Sequence, residues 1–262
     1  MTNDYWLEAK NISCLKNEYE VVKDLNLKLK YGENVIIIGP NGSGKSSLLD
    51  LINRNIYPVI KKDTVLKIFN EELINIWELR KKISTVNNDV KIRINPRLKV
   101  FDLIFSGLYG KYCKIYDISE EDVSLVENLI NKMLLRNLSQ KLFSHLSEGE
   151  KQIVLIARAI IKKPKILILD EPTANLDLKS KFQVIDKINE LNNLNTKIIC
   201  ITHDISMITK IYNRIIMLKD RMIIADGTQS ETLNSKNLSN LFDINIDVIK
   251  YKGNWHIYRN TK

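Results

Sequence analysis

Long apolar runs are missing from this chain. The longest, "VIII" at 35–38 and "IVLIA" at 153–157, fall far short of the roughly 18 residues that a membrane-spanning helix needs, so no span is expected. Cysteine is scarce as well: Cys14, Cys113 and Cys200 are odd in number and widely spaced, which argues against a disulfide framework or a zinc site and fits reduced thiols in a cytosolic protein. The first residues, "MTNDYWLEAKNIS", carry acids and no apolar segment, so they do not read as a signal peptide. Internal repeats and low-complexity linkers are absent too, which favours two lobes within one chain over separate domains.

What is present is a 262-residue chain with 44% hydrophobic residues, enough for a substantial core. Its 40 Lys and Arg outnumber 31 Asp and Glu, a formal charge of +9. The excess is uneven. Between Arg80 and Lys99, seven basic residues (Arg80, Lys81, Lys82, Lys91, Arg93, Arg97, Lys99) stand against Asp89 alone. Such a patch can meet a membrane surface, a nucleic acid or an acidic partner, or it can be the solvated face of a Lys-rich chain.

The pattern along the chain is strand, then helix, repeated. Residues 1–38 read as strands, with Leu25, Leu27 and Leu29 alternating with polar residues in "VVKDLNLKLK" and a buried run in "VIIIG". "TVLKIF" and "ISTV" are further strands, with a short helix around "IWELRKK" between them. From about Pro96 to His145 the pattern is helical; "SEEDVSLVENLINKMLL" opens with a capping signature at Ser119–Asp122 and keeps Val123, Val126, Leu129, Ile130, Met133 and Leu134 in helical register. "ILILDEP", a helix from Leu178, "KIICITHD", "RIIMLKD", "MIIADG" and a helix near 230–242 complete the chain. Alternation of this kind predicts an α/β fold with a mainly parallel sheet, ligands binding at the carboxyl ends of the strands.

Four short stretches carry chemistry. "GPNGSGKSS" (Gly39, Pro40, Asn41, Gly42, Ser43, Gly44, Lys45, Ser46, Ser47) follows a strand and opens a helix, the context a phosphate-binding loop requires. Its amides would turn inward on the phosphates, Lys45 would reach the β and γ oxygens, and Ser46 would offer an oxygen to Mg²⁺. "KILILDEP" ends a buried strand in two carboxylates: Asp170 at the tip suits Mg²⁺, and Glu171 suits orienting and polarising a water. "ICITHDIS" places His203 at another strand tip, a position for a γ-phosphate contact. "HLSEGEKQ" reads as a helix start in which Ser147 and Glu150 form a capping box, leaving the Gly149 amide and Ser147 hydroxyl for an anion. Glu148 lies outside that box, and a carboxylate there repels phosphate.

In this order the motifs resemble the ATP-binding subunits of ABC transporters over nearly the whole chain. The phosphate loop, "LSEGEKQ" as the family signature, "ILILDEP" as the second phosphate-site strand, "ANLD" at 174–177 and His203 all fall in sequence. The resemblance implies a P-loop NTPase (RecA-like) core with an N-terminal antiparallel β portion and an inserted α-helical subdomain. That makes 1–262 a single ATPase domain: 1–95 and 164–262 the catalytic core, 96–163 the helical subdomain with the signature helix. It implies ATP and Mg²⁺ as cofactors, and Glu171, His203 and Lys45 as catalytic residues. It further implies a head-to-tail dimer with a second copy, in which Ser147, Gly149 and Asp177 reach ATP on the opposite subunit. Expected partners are integral membrane permease subunits and, for an importer, a substrate-binding protein, with nucleic acid not expected. Expected location is cytoplasmic, at the inner face of the membrane.

Two positions depart from the family pattern. Where the family carries an adenine-stacking aromatic residue, this chain has Lys16, with Tyr19 as the nearest aromatic. Where a glutamine normally follows a strand and meets Mg²⁺ or water, "STVNND" puts Asn88, one methylene shorter, which can act through a bridging water. The segment "KVFDLIFSGLYG" (Lys99–Gly110) resembles importers of metal chelates and siderophores. Two other readings are a soluble ABC ATPase acting on an assembly scaffold or nucleic acid, and a nucleotide-binding regulator with little hydrolysis.

Overall fold

A computed structural model describes residues 4–116, 118–251 and 254–260. In chain order its main elements are β1 (Tyr5–Lys16), β2 (Tyr19–Lys30), β3 (Val35–Ile38), α1 (Lys45–Ile52), β4 (Val65–Ile68), α2 (Ile76–Lys82), β5 (Ile83–Val86) and α3 (Asn88–Arg93). There follow α4 (Val100–Leu108), α5 (Glu120–Lys132), α6 (Glu148–Ile160), β6 (Ile166–Asp170), α7 (Leu178–Glu190) and β7 (Lys197–Thr202). The chain closes with β8 (Arg214–Lys219), β9 (Met222–Gly227), α8 (Gln229–Thr232), α9 (Ser235–Phe242), β10 (Ile246–Tyr251) and β11 (Asn254–Arg259). Two compact units emerge, 1–79 with 199–262, and 80–198. The parallel β5–β6 pair lies in the second of these.

In the first unit, β1 and β2 form an antiparallel hairpin with β4 on the other side of β1. The hairpin turns through Asn17 and Glu18, both with positive φ (51° and 67°), the primed turn whose twist matches that of paired strands. Leu25, Leu27 and Leu29 are buried while their neighbours are exposed, as the alternation predicts. Trp6, 1% exposed, packs with its ring centroid 5.8 Å from that of Phe69.

β3 is the centre of the second sheet of this unit, parallel to β7 on one side and β8 on the other, with β9 antiparallel beyond β8. Its residues, Val35–Ile38, are all buried, because a strand flanked on both edges and covered on both faces has no polar side. Arg214 on β8 fixes the neighbouring edge: it donates two hydrogen bonds of 2.6 Å to the Asp226 carboxylate on β9 and one of 2.8 Å to the Lys28 carbonyl on β2. The helix expected near 230–242 is two helices, α8 and α9. The sequence reading missed the β10–β11 hairpin, which is held to α8 where the Trp255 indole donates to Gln229 Oε1 at 2.9 Å.

In the second unit, α6 packs against α4 and α7. α4 approaches closely because residue 107 is glycine; a Cβ there would lie 2.5 Å from the Arg158 carbonyl oxygen. Ser119 caps α5 as expected, accepting from the Asp122 amide at 3.1 Å. Val126, Ile130 and Met133 are buried, but Leu134 is exposed; its φ of 58° takes it out of the helix and off the apolar face. α3 had no sequence expectation: its six residues, none of them buried, are too few for a periodic signal.

Because Ile37 is 0% exposed in the most enclosed strand, Ile37→Ala is expected to lower stability by about 3 kcal/mol. Leu73→Ala, at a 95% exposed position, should change it by less than about 0.5 kcal/mol. Urea unfolding followed by tryptophan fluorescence measures both.

Candidate functional site

The first unit carries a phosphate-type cradle between β3 and α1. Gly39 leaves the strand with its amide donating to the Thr202 carbonyl at 3.3 Å, and a Cβ there would stand 2.1 Å from the Leu218 carbonyl oxygen. Only glycine fits. The chain then turns back through Gly42 and Gly44, with φ of 81° and 100°, conformations that side chains resist. Ser43 closes the turn by donating its amide to the Pro40 carbonyl and accepting at its own carbonyl from the Arg221 amide.

Lys45 folds back over this loop. It is 7% exposed, and its ammonium donates to the carbonyls of Gly39 at 2.8 Å and Pro40 at 2.9 Å. The Ser43 hydroxyl is buried with no hydrogen-bond partner. α1 starts at Gly44 without any side-chain cap and without an acid in its first turn, so its first amides keep their positive end for an anion. A buried cation, an orphaned buried hydroxyl and uncapped amides fit a nucleotide phosphate group.

Three further residues singled out in the sequence, His203, Lys16 and Tyr19, belong to the same unit. His203 follows Thr202, which is in register with Ile38 of β3; its side chain is exposed at the strand tip beside the loop. Lys16 and Tyr19 face each other across the β1–β2 turn. Lys16 pairs with Asp50 of α1 at 3.2 Å, which ties the hairpin to the helix that carries Ser46 and Ser47, and Tyr19 is 74% exposed.

The second unit holds the acids and the signature turn. β6 ends at Asp170, half-buried, and Glu171 follows in a left-handed conformation, φ 48°; such strain in a non-glycine residue is held in place by its surroundings. Here a turn closes directly, with the Ala174 amide donating to the Glu171 carbonyl at 3.1 Å. Asp177 caps α7, accepting from the Ser180 hydroxyl at 2.6 Å and the Ser180 amide at 3.0 Å. Those bonds, the hydroxyl first, hold its carboxyl below the usual carboxylate range.

At the start of α6 the capping box is complete: the Glu150 amide donates to Ser147 Oγ at 3.2 Å, and the Ser147 amide donates to Glu150 Oε2 at 2.8 Å. Gly149 is buried, and a Cβ there would meet Ser180 Cβ at 2.7 Å. The signature turn therefore packs on the start of α7, an adjacency the sequence did not reveal. Nor did it reveal the partners of Glu148. Lys151 donates to one carboxylate oxygen at 2.8 Å and Lys91, from α3, to the other; these two bonds, Lys151's first, hold its carboxyl below the usual range. Asn88 is exposed at the first position of α3, and the neighbouring Asn87 caps that helix by accepting from the Val90 amide at 3.0 Å. Among the described residues, no group of three or more His, Cys, Asp and Glu side chains converges as a metal cage.

The ABC transporter family model matches residues 22–174, a stretch that takes in the phosphate loop, the Ser147 turn and the Asp170–Glu171 pair. The chain belongs to the ABC transporter family. Among its relatives is the ABC transporter ATP-binding protein YmeB of Lactococcus lactis, 33% identical over 96% of this chain and 97% of that one. CbiO1 of Clostridium perfringens, described as part of the ABC transporter complex CbiONQ, has a similar structure: TM-score 0.76, 26% identity, 91% of this chain and 94% of that one. So does the ATP-binding cassette MJ0796, solved as a dimer in a post-hydrolysis state with ADP and Pi: TM-score 0.68, 29% identity, 85% and 98%. As an ABC ATPase, the chain binds Mg-ATP and hydrolyses it.

Two loop substitutions separate packing from backbone strain. Gly42→Ala meets no atom within 4 Å and bears only the left-handed penalty of about 1 kcal/mol, roughly a 3 °C fall in melting temperature. Gly39→Ala drives a methyl into the Leu218 carbonyl and should abolish the thermal shift given by Mg-ATP. Differential scanning fluorimetry with and without nucleotide measures both.

Proposed function

We propose that two copies of this chain pair head to tail around two ATP molecules, and that closing and opening of the pair drives separate permease subunits. The observation that carries the reading is the Gly39–Ser47 cradle, with Lys45 buried against the loop carbonyls and Ser43 Oγ unpartnered. Energising a membrane transporter is the work of this family, and no helix of the described residues is long and apolar enough to cross a membrane itself, which supports permease spans on other chains.

In this reading the loop amides and Lys45 bind the β and γ phosphates. Ser46 and Asp170, with Asn88, would hold Mg²⁺, and the ion when bound would offset phosphate charge. Glu171 orients the attacking water and takes its proton, and His203 contacts the γ-phosphate. The exposed ring of Tyr19, fixed near α1 by the Lys16–Asp50 pair, takes the adenine. Asp177, the Ser147 hydroxyl and the Gly149 amide meet the nucleotide of the partner copy. Arg93, Arg97 and Lys99 are exposed and face the permease or the anionic inner leaflet; a substrate-binding protein completes the assembly if the transporter imports.

Glu171→Gln should slow turnover by about 10² to 10⁴, the scale for losing a general base, and trap an ATP-bound dimer on size-exclusion chromatography. Unchanged turnover removes Glu171 from this role. Tyr19→Ala should raise KM for ATP about tenfold, as expected when one stacking contact of roughly 1–3 kcal/mol is lost, with kcat retained; steady-state phosphate release measures it.

A further inference from the structure

The signature turn carries two acids, yet its proposed ligand is an anion. Glu150 is absorbed by the capping box, its Oε2 accepting from the Ser147 amide at 2.8 Å. Glu148, at the first position of α6 with its side chain 48% exposed, is not. Two ammonium groups converge on it. Lys151 comes from the next turn of the same helix, at 2.8 Å, and its Nζ also lies 6.0 Å from the centre of the Phe143 ring. Lys91 comes from α3, 57 residues away along the chain, and takes the other carboxylate oxygen. The turn thus holds two carboxylates and two ammonium groups and is locally neutral, so the helix N-terminus keeps its attraction for a phosphate.

We infer that Lys91 is a positioning residue for the ATP-bound pair: by occupying Glu148, it lets an acidic signature turn face a phosphate. This rests on the reading that the turn meets ATP held by a second copy. Lys151 is fixed by its own helix, one turn from Glu148, and neutralises half of the carboxylate's hydrogen-bonding edge. The other half depends on α3, which begins at Asn88. Removing Lys91 leaves Glu148 with one cation and a lone pair edge free to repel the incoming nucleotide. Removing Glu148 instead releases two cations and strengthens the site.

The test uses the full chain carrying Glu171→Gln, with the ATP concentration for half-maximal dimerisation read by analytical ultracentrifugation. Lys91→Met should raise that concentration about threefold to fivefold, the scale of an exposed charge pair, and Lys91→Arg should restore it. Glu148→Gln should lower it. In the Glu148→Gln background, Lys91→Met should have less than about half its effect, because its target is gone, and raised salt should shrink every shift. An equal Lys91→Met effect in both backgrounds, or none in either, overturns the role of Lys91. If the Glu171→Gln chain shows no ATP-dependent pairing at all, the head-to-tail reading itself falls and this inference falls with it. Circular dichroism of each variant shows that a shift is not loss of folding.

Discussion

The end of β3 sets the terms for the nucleotide site. Four buried residues run between two parallel neighbours, and the chain leaves them in a space so tight that a methyl at Gly39 would overlap the Leu218 carbonyl. With both edges paired and all four side chains buried, the strand is apolar on both faces and its carboxyl end is held as a rigid platform. From there the loop is turned by Gly42 and Gly44 and locked by Lys45 onto its own carbonyls. The two carbonyls that accept from this ammonium carry no full negative charge. A positive charge there suits an anion, and it stands beside a helix start with no side-chain cap and no acid in its first turn.

The second unit solves a related charge problem in a different way. α6 also begins with free positive potential, but its first turn holds Glu148 and Glu150. One is turned back by the capping box and the other is held by Lys91 and Lys151. Gly149 between them touches Ser180, whose hydroxyl and amide are bound by Asp177. Signature turn and α7 start are therefore one packed cluster, and a shift in either moves the other. Neutrality by pairing also makes the cluster sensitive to salt in a way that the buried Lys45 is not, since exposed pairs are screened and buried ones much less so.

Motif chemistry was legible in the sequence because it is local. The phosphate loop needs glycines at fixed spacing, the Ser147 capping box is three residues wide, and buried runs such as "VIII" and "ILIL" announce parallel strands by having no polar face. Asn87 illustrates the limit: beside Asn88 in the sequence and identical in type, it is the helix cap, and only backbone geometry tells the two apart. Helix α3 and the β10–β11 hairpin escaped notice for related reasons. One is too short for a periodic signal, and the other is mostly exposed where its side chains are described and mixes aromatic with charged residues.

The sequence by itself determined that this chain is an ATP-dependent member of its family, since side-chain type at close spacing decides phosphate chemistry. Tertiary structure alone decided what surrounds that chemistry. That Lys91 meets Glu148 across 57 residues, that Gly149 is required by Ser180, and that Lys16 reaches Asp50 are contacts between elements far apart along the chain. Their pairing follows from how strands order in a sheet and how helices pack, and no local pattern of residues encodes it.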